Sequence, residues 1–164
     1  MTLSAAALES ALGSLTPTIS EATAIARLVD AWEEYFGDAT VSGAPLVPGS
    51  VAGGLSAMAA ALVGLSAPGA AAAKIAAGTS AFWSTQAALA TAMWVTAPVV
   101  LVPPIVPPPG LASLSSTLAA VFAAGPYDIH DAMGHIASAW HAASTGALVP
   151  GSVPPAPPAP LVVT

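Results

Sequence analysis

Apolar residues recur along the chain at helical spacing, and one short pattern is written three times. Ala5, Leu8, Leu12 and Leu15 stand at relative positions 0, 3, 7 and 10, and Leu55, Met58, Leu62, Leu65 and Leu111, Leu114, Leu118, Val121 repeat that spacing. It keeps all four residues on one face of an α-helix. A proline follows each run, as Pro17, Pro68 and Pro126, and a tryptophan arrives 27, 28 and 29 positions after the first residue, as Trp32, Trp83 and Trp140. Proline cannot continue a helix, because it lacks the N–H and its ring clashes with the preceding turn. The pattern therefore predicts three helical hairpins, and self-similarity near fifty residues points to stacked or pseudosymmetric units.

Helices are expected over residues 4–15 and 19–36, 54–66 and 70–96, and 110–124 and 128–144. In the first hairpin Ala22, Ile25, Val29, Trp32 and Phe36 form an apolar stripe, with Glu21, Arg27, Asp30 and Glu34 mostly off it. Thr18-Ile19-Ser20-Glu21 has the form of a capping box, in which a hydroxyl and a carboxylate satisfy free N–H groups at a helix start. The long helix of the second hairpin is apolar almost all round, with Ile75, Phe82 and Leu89 at heptad spacing, so it belongs inside something. Ile129, Met133, Ile136 and Trp140 line the last helix.

Proline-rich arms run over 43–51, 97–109 and 146–164, and Leu46-Val47-Pro48-Gly49-Ser50-Val51 returns as Leu148-Val149-Pro150-Gly151-Ser152-Val153. Their prolines predict extended or polyproline-II chain. Their aliphatic residues predict docking in a groove of this fold or of a neighbour, since a bare linker would be Ser/Gly-rich or charged. The expected fold is all-α, three repeated helical hairpins joined by extended proline-rich arms. Its units are 1–51, 52–109 and 110–164, packed as one compact body.

Composition changes this picture through charge. Only 6% of residues are charged while 55% are apolar, with mean hydropathy +0.80 and net charge −6. A typical chain has about 25% charged residues, so much of the surface must be uncharged. Glu9, Glu21, Arg27, Asp30, Glu33, Glu34 and Asp38 crowd the first hairpin, and Lys74 is the only charge from Ala39 to Tyr127. A large uncharged surface marks a partner or a membrane. Two basic residues exclude nucleic acid as a partner, because Lys and Arg supply most of that affinity. With no cysteine there is no disulfide or thiolate chemistry. The N-terminus lacks the basic region of a signal peptide, which predicts synthesis in the cytoplasm and, if the chain leaves it, incorporation into a particle.

Candidate chemistry is thin. Asp131 and His135 share a helix face at i, i+4 and are weak candidates for a metal pair, while His130 and His141 lie on other faces. Ser66 in Gly64-Leu65-Ser66-Ala67-Pro68 lacks the closing glycine and preceding strand of a nucleophile elbow. No glycine pattern cradles a phosphate. Neither catalytic residues nor a cofactor are expected. Trp32, Trp83 and Trp140 read as core residues, Trp94 as a contact anchor, and Leu101, Leu148, Val149 and Leu161 as packing or interface residues of the arms.

The expected function is that of a non-enzymatic structural protein, a subunit of a larger assembly whose partners are copies of itself or other subunits. In composition the Ala-rich, cysteine-free, lysine-poor chain is similar to small building blocks of phage virions or phage-tail-like particles, a likeness that rests on no motif. The alternative is a membrane-associated protein using the uncharged segment 76–102, which has the length to cross about 30 Å of hydrocarbon.

Overall fold

The structure is a computed structural model that describes residues 4–13, 19–37, 40–41, 44–45, 51–93, 100–101, 107–125, 129–145, 148–152 and 159–162. Among these residues six helices carry the fold: α1 (Ala5–Leu12), α2 (Glu21–Gly37), α3 (Ala52–Leu62), α4 (Ala71–Met93), α5 (Leu111–Ala124) and α6 (Ile129–Ser144). The helical class read from the apolar spacing is the class observed. Helix ends differ by a few residues: α1 stops at Leu12, with Gly13 closing it on the Glu9 carbonyl, and α3 stops at Leu62 before the turn 63–70. Gly64 and Gly69 in that turn have φ of +86° and +74°, a region that other residues adopt at a cost.

Each helix packs on the next in sequence, and α6 returns to pack on α1. The six therefore form a closed ring around one core. The α3–α4 contact is the most extensive. A Cβ built on Gly54 would stand 2.8 Å from Phe82 and Gln86, and one on Gly78 would stand 3.2 Å from Leu62, so the two helices run antiparallel with their backbones close. Gly54 is needed there because any side chain would strike the Phe82 ring.

The core follows the repeated spacing. Its second and third positions, Leu8 and Leu12, Met58 and Leu62, Leu114 and Leu118, are all buried, whereas Ala5, Leu65, Leu111 and Val121 are only partly so. Leu15 lies outside the described residues. In α2 the buried face is rotated from the expected stripe: Leu28, Ala31, Trp32, Tyr35 and Phe36 are buried, Ile25 and Val29 are half-covered and Ala22 is exposed. The reason is that α2 is flanked by α1 on one side and α3 on the other, so contact is centred between two neighbours. Ile75, Phe82 and Trp83 of α4 are buried as expected.

Short strands lie in or beside the proline-rich stretches. β1 (Thr40–Val41) pairs with β2 (Ala44–Pro45), and β3 (Val100–Leu101), β4 (Leu148–Ser152) and β5 (Ala159–Val162) form an antiparallel sheet with β4 in the middle. Pro150 stands opposite Pro160. Neither has an N–H, so this pair fits the ladder at a position where the two residues exchange no hydrogen bond. Among the described residues no helix is long and apolar enough to cross a membrane.

Candidate functional site

The aromatic centre joins three helices. Trp32 of α2 stacks on Trp140 of α6 at 4.9 Å and 13°, while Phe82 of α4 meets Trp32 edge-on at 5.5 Å. Phe36 packs edge-on against Phe82 at 4.8 Å and against Trp83 at 5.5 Å. All three tryptophans anticipated as core residues are buried, which is where their large apolar area contributes most. The Trp140 indole N–H donates to Thr79 Oγ1 at 2.8 Å, and the Thr79 hydroxyl in turn donates a hydrogen bond to the Ile75 carbonyl. Among the described residues the indole N–H groups of Trp32 and Trp83 meet no acceptor. Trp94 lies outside the described residues.

His141, half-buried on α6, has a partner that its sequence context did not indicate. Its Nδ1 lies 2.8 Å from the hydroxyl of buried Tyr35. Burial pushes the ionisation of the Tyr35 hydroxyl well above the usual phenol range, so it stays neutral. The pair ties α2 to α6 across the core edge. Neither partner signals the other in sequence, being 106 positions apart.

Asp131 and His135 do share a face of α6, lining a surface recess of about 280 Å³ with Gly134, Ser138 and Glu9 of α1. The Glu9 carboxylate lies over Gly134, where a Cβ would be 3.3 Å from Oε1. Glu9 was not among the sequence candidates. Among the described residues no group of three or more His, Asp or Glu side chains is arranged to hold a metal ion.

Glu21 departs from its expected role. Ser20 Oγ accepts the Thr23 N–H at 3.2 Å at the start of α2, and Thr18 lies outside the described residues. The Glu21 carboxylate reaches the α3–α4 turn instead. Oε1 accepts the Gly64 N–H at 2.9 Å, and Oε2 accepts the Ser66 N–H at 3.0 Å and the Ser66 hydroxyl. These hydrogen bonds, with Lys74 nearby, hold the carboxyl below its ordinary value. Beside this clamp an apolar recess of about 310 Å³ opens between Leu12, Leu28, Leu65, Ile75, Phe122 and Ile136.

The outer surface divides by charge. Helices α6, α1 and α2 carry Asp131, Glu9, Glu21, Arg27, Asp30, Glu33 and Glu34, whereas α3 and α5 carry no charge and α4 only Lys74. Several hydroxyls on the uncharged side bond to their own helices. Ser116 Oγ and Thr117 Oγ1 donate to the Ser113 carbonyl at 2.8 and 3.0 Å, Ser113 Oγ to Gly110 and Ser84 Oγ to Ser80. Phe122 and Val63 remain 42% and 60% exposed there.

Of the arm residues anticipated at interfaces, the backbone of Leu101 in β3 lies opposite Gly151, Val149 opposite Leu161 and Leu148 opposite Val162. The middle and C-terminal arms thus pair within the chain. In comparison with known proteins, no family model, no curated protein and no solved structure matches this chain.

Proposed function

We propose that the protein is a non-enzymatic structural subunit that associates with copies of itself through the α3–α4–α5 side of the ring, as a component of a larger particle. The observation carrying this reading is the outer face of α5. It presents Ala112, Ser113, Ser116, Thr117, Ala120 and Phe122 without a charge, and three of these hydroxyls already donate to helix carbonyls. Such a face loses little on leaving water, because its donors need no replacement partner. Two acidic sides repel, so contact through uncharged sides keeps the charge of each copy outermost. A virion or tail-like particle suits a subunit of this composition.

The repeat enters this reading as three related hairpins, α1–α2, α3–α4 and α5–α6, joined by the proline-rich stretches. Matched burial of Leu8/Leu12, Met58/Leu62 and Leu114/Leu118, each followed by a buried tryptophan, supports it.

The test is the native mass by sedimentation, compared with the 15.8 kDa of the chain. A species of several chains is expected for the parent protein, with Ser116→Glu and Ala120→Glu shifting it toward the monomer. A parent protein that stays monomeric at high concentration would overturn the reading.

A further inference from the structure

We infer that Glu21 is a latch: its carboxylate holds the α3–α4 turn so that Leu65 closes one wall of the apolar recess, and releasing it opens the recess to water. The geometry is specific to one residue. Oε1 takes the N–H of Gly64 and Oε2 that of Ser66, so the two bonds bracket Leu65, whose side chain lines the recess with Ile19, Ala24 and Leu28. Gly64 has φ +86°, which lets the turn present both N–H groups to a single carboxylate.

A carboxylate that accepts backbone N–H bonds is held more strongly than a neutral acceptor, and protonation replaces one acceptor oxygen by a hydroxyl. The neighbours favour the charged form. Lys74 of α4 acts on Glu21 with an attractive charge, α3 carries no charged residue, and Glu9 of α1 lies over Gly134 instead. On α2 itself the next charged residue is Arg27. Loss of the negative charge by acid or by substitution would free the turn 63–70 while leaving the buried contacts of α3 and α4 in place. The recess would then lose one wall. Phe122, exposed on its rim, would join the newly wetted residues into one apolar surface.

The full chain carrying Glu21→Gln tests this at neutral pH by two readouts, amide exchange and binding of an anilinonaphthalene sulfonate dye. The amides of Gly64 and Ser66 should exchange several-fold faster than in the parent protein, those of Met58 and Phe82 should be unchanged, and dye fluorescence should rise. Unchanged exchange at Gly64 and Ser66 would overturn the latch, and so would faster exchange without added dye binding. Should the variant lose its helical circular dichroism, acid titration of the parent protein decides. Protection at Gly64 and Ser66 lost before the helices melt supports the latch, and loss together with the helices overturns it. The result does not depend on self-association, since a monomeric protein would give the same readouts.

Discussion

Helix α2 buries Leu28, Ala31, Trp32, Tyr35 and Phe36 and turns Asp30, Glu33 and Glu34 to solvent, whereas α5 buries Leu114 and Leu118 and turns out Ser113, Ser116, Thr117 and Ala120. Inwardly the two obey the same rule, a large apolar residue every three or four positions. Outwardly they share nothing. The inner pattern decides where each helix sits in the ring, and the outer residues decide what that part of the ring can meet. Carboxylates keep α2 hydrated, while self-satisfied hydroxyls and methyl groups leave α5 indifferent to whether water or protein covers it.

The inner halves should respond alike and strongly. Trp32→Ala in α2 is expected to cost about 3–5 kcal/mol and Leu118→Ala in α5 about 2–5 kcal/mol of unfolding free energy, measured in denaturant, because both leave cavities in a closed core. A Leu118→Ala cost below about 1 kcal/mol would show that α5 is not part of the common core. Gly54→Ala should cost about 1–3 kcal/mol, since the new methyl would stand 2.8 Å from the Phe82 ring. Thr79→Val keeps the shape but leaves the Trp140 N–H without its acceptor, for about 1–3 kcal/mol.

The outer halves should separate stability from association. Ser116→Glu in α5 and Glu34→Ser in α2 should each move unfolding by no more than about 0.5 kcal/mol. Only the first should change the sedimenting mass. Equal effects on mass would remove the distinction between the two sides of the ring.

The smallest effect is one of pH. The Glu21 carboxyl is held below its ordinary value of 4.5, so its bonds to the turn contribute stability that is complete above that value and is lost as pH falls through the lower folded one. The stability gap between the parent protein and Glu21→Gln should therefore be flat from about pH 6 to 8 and shrink on acidification. A gap that persists unchanged at the lowest pH where the protein stays folded would assign the effect to packing.

The helices were legible because burial repeats with the helical period, and Leu8/Leu12, Met58/Leu62 and Leu114/Leu118 carry that period without interruption. Trp32, Trp83 and Trp140 were legible as core because no other residue here is so large. Glu21 was misread because a carboxylate beside a helix start has a local use as well as a distant one, and the distant partners lie 43 and 45 positions away. The Tyr35–His141 bond and the approach of Glu9 to Gly134 were hidden for the same reason. Local spacing carries no information about which helices close the ring.

That closure has a consequence for the order of synthesis. Helix α1 has eight residues, too few to persist alone in water, and its outer partner α6 emerges from the ribosome only after residues 129–144 are made. The α3–α4 pair, joined by a short turn, has its contacts available much earlier and folds with little loop entropy to overcome. The uncharged side of the nascent chain therefore takes shape while the N-terminal helix still lacks its closing neighbour. A delay in finishing α6 should for that reason trap chains by aggregation, whereas the same delay placed before α3 should not.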